Sequence, residues 1–431
     1  MKPSIKHITP YLTLKAIKTD KFKTERISIN FENKIDKYKM PLSLLAFSIL
    51  KRGTEKYVTL KELNKKLDEL YATIISMNVQ RLGKNYLLGF SAEMLGDQYV
   101  EKNTDLLRET VDIIHEMLYR PLLSEGFFID KYVESEKENM IDAINARINN
   151  PRAYATSRCI EIMYKNDEFS IEQLGNVDIV SSFTKEEVTN EYRTIISRCP
   201  ITVFYIGSRD IQDIQDMIID IFNDNHDAPI LCGDNSSDFN IDTKRTKYVT
   251  ENMDIAQGKL VLGFKSGVNL TCEKDFYPML VLNEIFGGSP ISKLFLNVRE
   301  RLGLCYYCSS SYSVTKGAIM VSCGIEPSDK RRAQGEILKQ LRDIKKGKIS
   351  EEEFSSAIKS LLNGYSETYD YPSRIESFYE LRSAYYIDDT VDDCKIKLLD
   401  VSVEDVIRVA NKIKLDTVYF LYGDGEGDTD D

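Results

Sequence analysis

Two short stretches of this 431-residue sequence hold side chains whose type and spacing bear on chemistry. One is LLAFSILKRGT, residues 44–54, an apolar run that stops at a basic pair, a glycine and a threonine. The other is VRERLGLCYY, in which Arg299 and Tyr306 stand with six residues between them. A guanidinium and a phenol are both hydrogen-bond donors. The first stretch offers nothing comparable. Leu44 and Phe47 have no lone pair to give, and Ser48 has a single neutral hydroxyl. Spacing alone favours a plain use for the second stretch, with Arg299 in a surface salt bridge and Tyr306 packed in a sheet. Tyr307 also offers a competing register.

The remaining candidate ligands are scattered. Histidine occurs three times, as His7, His115 and His226. His115 heads HEMLY, one substitution short of a zinc-binding HExxH helix, with Tyr119 in the second histidine's place. One imidazole cannot hold a catalytic zinc, so His115 reads as a helix residue near the core boundary. His7, in a terminal segment, and His226, in a polar link, read as solvated. Cys305 and Cys308 have CxxC spacing with no second pair, which predicts two thiols on a strand rather than a metal site. The stretch FGGSP lacks the lysine and Ser/Thr of a phosphate-binding loop, and no GxSxG elbow is present.

Length and patterning describe the frame. A chain of 431 residues, 42% hydrophobic and 29% charged, predicts a folded protein of about two domains. Its net charge of -11 argues against a nucleic-acid or anionic-membrane partner. The eight scattered cysteines read as free thiols in a reducing compartment. No apolar run is long enough to span a membrane, and the N-terminus has no signal-peptide pattern, so the expected location is cytoplasmic.

The pattern then repeats. The first half reads as a strand (22–31), the apolar helix ending at Gly53, and an amphipathic helix capped by Thr59 and Glu62. Two strands around LGKN, an amphipathic helix through Leu107 and Leu118, and a charged helix over about 129–146 follow. A Ser-initiated helix and the strand ITVFYIG close it. The second half runs GKLVLGFKSG, FYPMLVLNEIFGG, ISKLFLNVRERLG, CYYCSSSYSV, GAIMVSCGIEP, helices near 331–346 and after Ser350, then VSVEDVIRVANKIK and TVYFLYG. This order predicts an α+β fold of two tandem homologous units, residues 1–222 and 246–431. The Asn-, Asp-, Gly- and Ser-rich link falls at 223–245 and a frayed tail at the C-terminus.

The tandem halves, the Gly53-Thr54 pair followed by a capped helix, and GGSPISKLFLNVRERLGLCYYCSSSY together resemble the insulinase/pitrilysin family. This is the inverzincin group that includes the mitochondrial processing peptidase. The resemblance implies α/β-roll domains, antiparallel-rich sheets packed with helices, forming a clam-like chamber. Active members carry HxxEH just before the same glycine-threonine; laid on that motif, the chain has Leu44 and Ser48 at the histidines and Phe47 at the glutamate. Glu134, Glu136 or Glu138 could occupy the place of the distal glutamate ligand, and without histidines each reads as an unpaired, solvated carboxylate. Arg299 and Tyr306 match the family's pair that holds substrate and stabilises the oxyanion.

The resemblance therefore implies a non-catalytic, pseudoenzyme subunit. It would bind no zinc itself, dock as a heterodimer on a zinc-bearing homologue, and help bind extended peptide through Arg299 and Tyr306. Within the family the chain is most similar to the Gram-positive group associated with elongation factor P modification. A non-proteolytic scaffold of the same fold is the alternative.

Overall fold

A computed structural model describes residues 1–101, 104–222 and 245–423. The link at 223–245, apart from Arg245, lies outside the described residues, as do His226 and the residues after Gly423.

In the first half, strands β1 (Ser4–His7), β2 (Leu12–Lys18) and β3 (Thr24–Lys34) precede helices α1 (Lys39–Leu50) and α2 (Leu60–Glu69). Then come β4 (Ile74–Leu82), β5 (Asn85–Leu95), α3 (Leu106–Tyr119), a short hairpin β6 (Leu123–Ser124) and β7 (Phe127–Phe128), and α4 (Asp130–Asn145). Helices α5 (Pro151–Met163), α6 (Val177–Ser182) and α7 (Lys185–Arg198), strand β8 (Ile201–Gly207) and helix α8 (Ile211–Ile221) complete it.

The second half opens with β9 (Lys247–Asn252), β10 (Gly258–Lys265) and α9 (Glu273–Asn283), followed by wide π-helical turns at Glu284–Gly288 and Phe295–Arg301. Next are β11 (Cys305–Ser313), β12 (Ala318–Ile325), α10 (Lys330–Lys345) and α11 (Glu351–Glu367). It ends with α12 (Pro372–Ser383), α13 (Val391–Leu399), α14 (Val403–Ala410) and β13 (Lys414–Tyr422).

The two sheets show the repeat strand for strand. One runs β1-β2-β8-β3-β5-β4, the other β11-β12-β10-β13-β9. Reversing the second gives β9-β13-β10-β12-β11, which matches β2-β8-β3-β5-β4. In each the closing strand pairs parallel with the strand outside it, β2 with β8 and β9 with β13, and the other pairings are antiparallel. The α+β fold of two homologous units is therefore observed. The edge strands β4 and β11 hold equivalent places. Capping boxes close the starts of α2, α7 and α11 on Thr59, Thr184 and Ser350, satisfying helix N–H groups that would otherwise face water.

Two compact units result, and each takes one helix from the other half of the chain. The first contains Met1–Asn145, the described part of the chain from Ile171 to residue 222, and Tyr369–Ala384, which carries α12. The second contains Ala146–Ser170, which carries α5, with the described residues of 245–368 and 385–423. Within the second unit, Ala155, Cys159 and Met163 of α5 pack against Val261, Met320, Tyr419 and Leu421 of the sheet. Within the first, Ile375 and Tyr379 of α12 pack on Ile17, Phe204 and Ile206.

Charges also seat α12. Lys15 donates to Glu380 at 2.8 Å and to Ser383 at 3.0 Å, and Arg26 bonds Glu376 at 2.5 Å. Lys15, Glu376 and Glu380 are all buried. Burial raises the Glu380 carboxyl, against the opposing charge of Lys15. Such a carboxyl holds its proton more tightly folded than unfolded. Its contribution therefore favours folding below the ordinary carboxylate range and is lost as pH rises through the raised value. Lys15→Met leaves Glu380 buried without a counter-charge and is expected to cost about 3 kcal/mol near neutral pH. The loss should shrink on acidification as Glu380 takes up a proton, and a Lys15→Met/Glu380→Leu double variant should regain most of it. Urea unfolding at two pH values measures this; a pH-independent loss would contradict it.

Candidate functional site

Helix α1 is apolar on every side, as a helix buried all round must be. Ten of its residues are buried, leaving Lys39 exposed and Ser48 half-buried. Phe47 stacks on Phe90 with ring centroids 5.8 Å apart and meets Phe31 edge-on at 5.9 Å. Leu44 belongs to the same core, and the Ser48 hydroxyl donates to the Leu44 carbonyl at 3.0 Å. These three side chains do not fit a zinc ion: two are hydrocarbon and the third is a neutral hydroxyl already bonded along its helix. Among the described residues, no group of three or more His, Cys, Asp or Glu is arranged to hold a metal.

A cleft of about 530 Å³ opens beside Ser48. It is lined by Lys51 and Arg52 after α1, Leu60, Leu63, Asn64 and Leu67 of α2, Ile75 and Met77 of the edge strand β4, Met117 and Glu136. The turn after α1 admits only glycine at position 53, where a Cβ would lie 2.6 Å from the Val58 carbonyl oxygen. Thr54 is buried and locks the turn, its N–H donating to Tyr57 O at 2.7 Å and its Oγ1 accepting from Tyr57 N at 2.9 Å.

Of the three glutamates of α4, Glu136 departs from the expected solvation. Glu136 is an ion-pair partner of Arg52, which also donates to Ser135 Oγ at 3.1 Å. Its side chain is only 14% exposed. Glu134, itself exposed, pairs with the buried Lys137, and Glu138 is exposed. A carboxylate this sheltered needs a counter-charge, and the arginine supplies it. Sequence reading missed the pair because 84 positions separate its members. The one available signal was the basic pair that ends the apolar run.

In the second unit, Arg299 lies on the π-helical turn Phe295–Arg301 and Tyr306 on edge strand β11. Gly287 permits this packing, since a Cβ there would lie 2.6 Å from Ser310 N of that strand. Arg299 pairs with Glu300 at 3.3 Å and lies over the Phe295 ring at 4.6 Å. Tyr306 is 71% exposed, so it does not pack in the sheet. Tyr307 does, with its hydroxyl 3.4 Å from Ser322 Oγ, Arg152 over its ring, and its phenol raised by burial. The exposed tyrosine is therefore the one spaced correctly from the arginine. Cys305 and Cys308 are buried free thiols on β11. Cys305 is held below the usual thiol range by its hydrogen bond with Cys308 and by the Arg299 charge, against burial.

The remaining histidines stand apart from both places. His7 lies on exposed β1 with its ring 3.1 Å from Thr13 Oγ1. His115 is half-buried on α3, stacked on Tyr119 at 4.7 Å.

A family profile described as the Peptidase M16 inactive domain matches residues 182–361. The chain is 29% identical, over 96% of each sequence, to a "probable inactive metalloprotease YmfF" of Bacillus subtilis. Over most of its length the chain is thus similar to M16 peptidases and to an inactive homologue of them. An "uncharacterized zinc protease YmxG" of the same bacterium is 31% identical over 26% of this chain and 27% of its own. A crystal structure of a conserved protein from Enterococcus faecalis has the same fold, with TM-score 0.90, 23% identity and coverage of 99% and 100% of the two chains.

Laid on the family motif, Leu44, Phe47 and Ser48 stand at the zinc and general-base positions and can supply neither role, in keeping with the similarity to a protein named a probable inactive metalloprotease. Among the described residues, no helix is long and apolar enough to cross a membrane. The packing of Phe47 makes the loss of the motif structural as well as chemical. Phe47→Ala should cost about 3–5 kcal/mol of stability, and Phe47→Glu at least as much, since it buries a carboxylate between two aromatic rings. Denaturant melts measure both; a Phe47→Glu variant as stable as the parent would contradict the assignment.

Proposed function

We propose that this chain is the non-catalytic subunit of a heterodimeric M16 zinc metallopeptidase. It binds extended peptide and supplies Arg299 and Tyr306 to the zinc site of a homologous subunit. The observation that carries the reading is the exposure of Tyr306 on β11, an edge strand among the described residues, with Arg299 on the turn that leads into it. Tyr306 is left to solvent, whereas Tyr307 next to it packs away. The motif positions of the same chain, Leu44, Phe47 and Ser48, offer no set of zinc ligands, so chemistry assisted by the pair would take place on another chain's metal. The occurrence in one bacterium of relatives named as an inactive metalloprotease and as a zinc protease is consistent with such a division of labour.

Chemically, an extended peptide would add to a sheet edge through backbone hydrogen bonds, a mode that demands few side chains. The Arg299 guanidinium and Tyr306 hydroxyl would then donate to the carbonyl oxygen as it gains negative charge. Because water supplies such donors poorly and with reorganisation cost, fixed ones lower the barrier. In the free chain Arg299 is bonded to Glu300, so substrate would compete with that carboxylate. That pairing also suits the alternative reading, a scaffold of the same fold in which the two residues are incidental.

Co-expression with the zinc-bearing homologue of the same genome, followed by a peptide-cleavage assay, separates the readings. The subunit reading predicts cleavage by the pair and not by this chain alone. Arg299→Ala or Tyr306→Phe should lower kcat by roughly 100-fold, the effect of removing one oxyanion donor. An active pair indifferent to both substitutions would leave the scaffold.

A further inference from the structure

The cleft beside Ser48 has lost the means to hold a metal but keeps the features of a binding site. Its walls include aliphatic and thioether side chains, among them Leu60, which stays 40% exposed to water. The charge of Arg52 is matched by Glu136. Lys51, the other cation of the cleft, forms no side-chain hydrogen bond or ion pair among the described residues. One uncompensated positive charge thus lies with an apolar wall in a space of about 530 Å³, within the size range of small-ligand pockets.

We propose that this cleft binds the C-terminal residue of a peptide, with its apolar side chain against Leu60, Leu67 and Met77 and its terminal carboxylate on the Lys51 ammonium. Three features select that occupant. The charge complements a single carboxylate, and an apolar side chain would take up surface that now faces water. Met77 and Ile75 come from β4, whose outer side pairs with no strand among the described residues. The residues preceding the terminus can therefore extend along that edge through their backbone. A fatty acid would use the cation and the wall but not the edge. Each hydrolytic cleavage of a peptide bond creates such a carboxylate end, so the cleft suits a cleaved chain better than an intact one. This inference deepens the peptide-binding part of the function proposed above and requires no partner subunit.

The test is fluorescence anisotropy of the full chain with a fluorescein-labelled peptide ending in leucine, prepared as the free acid and as the amide. The acid should bind about tenfold more tightly, the worth of a hydrogen bond to a charged group. Lys51→Met should bring the acid down to the amide's affinity and leave the amide unchanged, while Lys51→Arg should keep most of the preference. A thermal melt checks that each variant is folded. Equal affinity for acid and amide, binding of neither, or a preference that survives Lys51→Met would overturn the proposal. Displacement of the label by laurate without any acid preference would overturn it as well. The acid-to-amide ratio is read on this chain alone and should not respond to Arg299→Ala, so its failure is distinguishable from failure of the paired-peptidase reading.

Discussion

The aromatic contact of Phe47 with Phe90 and Phe31 sets the character of the first unit. It ties α1 to the centre of the sheet, because Phe31 lies on β3 and Phe90 on β5. With α1 fixed in that way, the turn at Gly53-Thr54 and the capped start of α2 have one place to go. The cleft is the space left between them and the edge strand. A general base at position 47 would have to be buried in that aromatic cluster, where a carboxylate is strongly disfavoured. The lack of a carboxylate at position 47 is thus part of how this unit is packed.

Charge plays a comparable part where apolar packing is incomplete. The pairs Lys15–Glu380, Arg26–Glu376 and Arg52–Glu136 each join segments remote in sequence within the first unit. Buried pairs of this kind add little net stability relative to apolar replacements, but breaking one partner is costly. Their effect is to select one seating for α12 and one orientation for Arg52. The second unit has its own versions, with Arg158 of α5 bonded to Glu251 of β9, and Lys316 paired with Asp167.

Much of this was legible in residue patterns. The tandem repeat could be read because both halves alternate strands and amphipathic helices whose burial follows the expected periods, and the matching strand orders bear it out. Gly53-Thr54 and the helix caps were legible because their geometry demands particular residue types. Helix α12 was not legible: it buries Glu376, Glu380 and Arg382 toward its neighbours, which defeats any search for an apolar face. Helix α5 buries only Ala155, Cys159 and Met163 and gives a similarly weak signal. The Arg52–Glu136 pair was hidden by sequence separation, and the choice between Tyr306 and Tyr307 needed their exposures.

At the centre of the account is the claim that Leu44, Phe47 and Ser48 leave this chain unable to bind a catalytic zinc. Metal analysis of the purified chain after equilibration with zinc and removal of the excess tests it most directly. The account predicts no stoichiometric zinc, and no change in metal content on Glu136→Ala. Stoichiometric zinc that disappears with Glu136→Ala would contradict it, since the carboxylate that here neutralises Arg52 would then be a metal ligand.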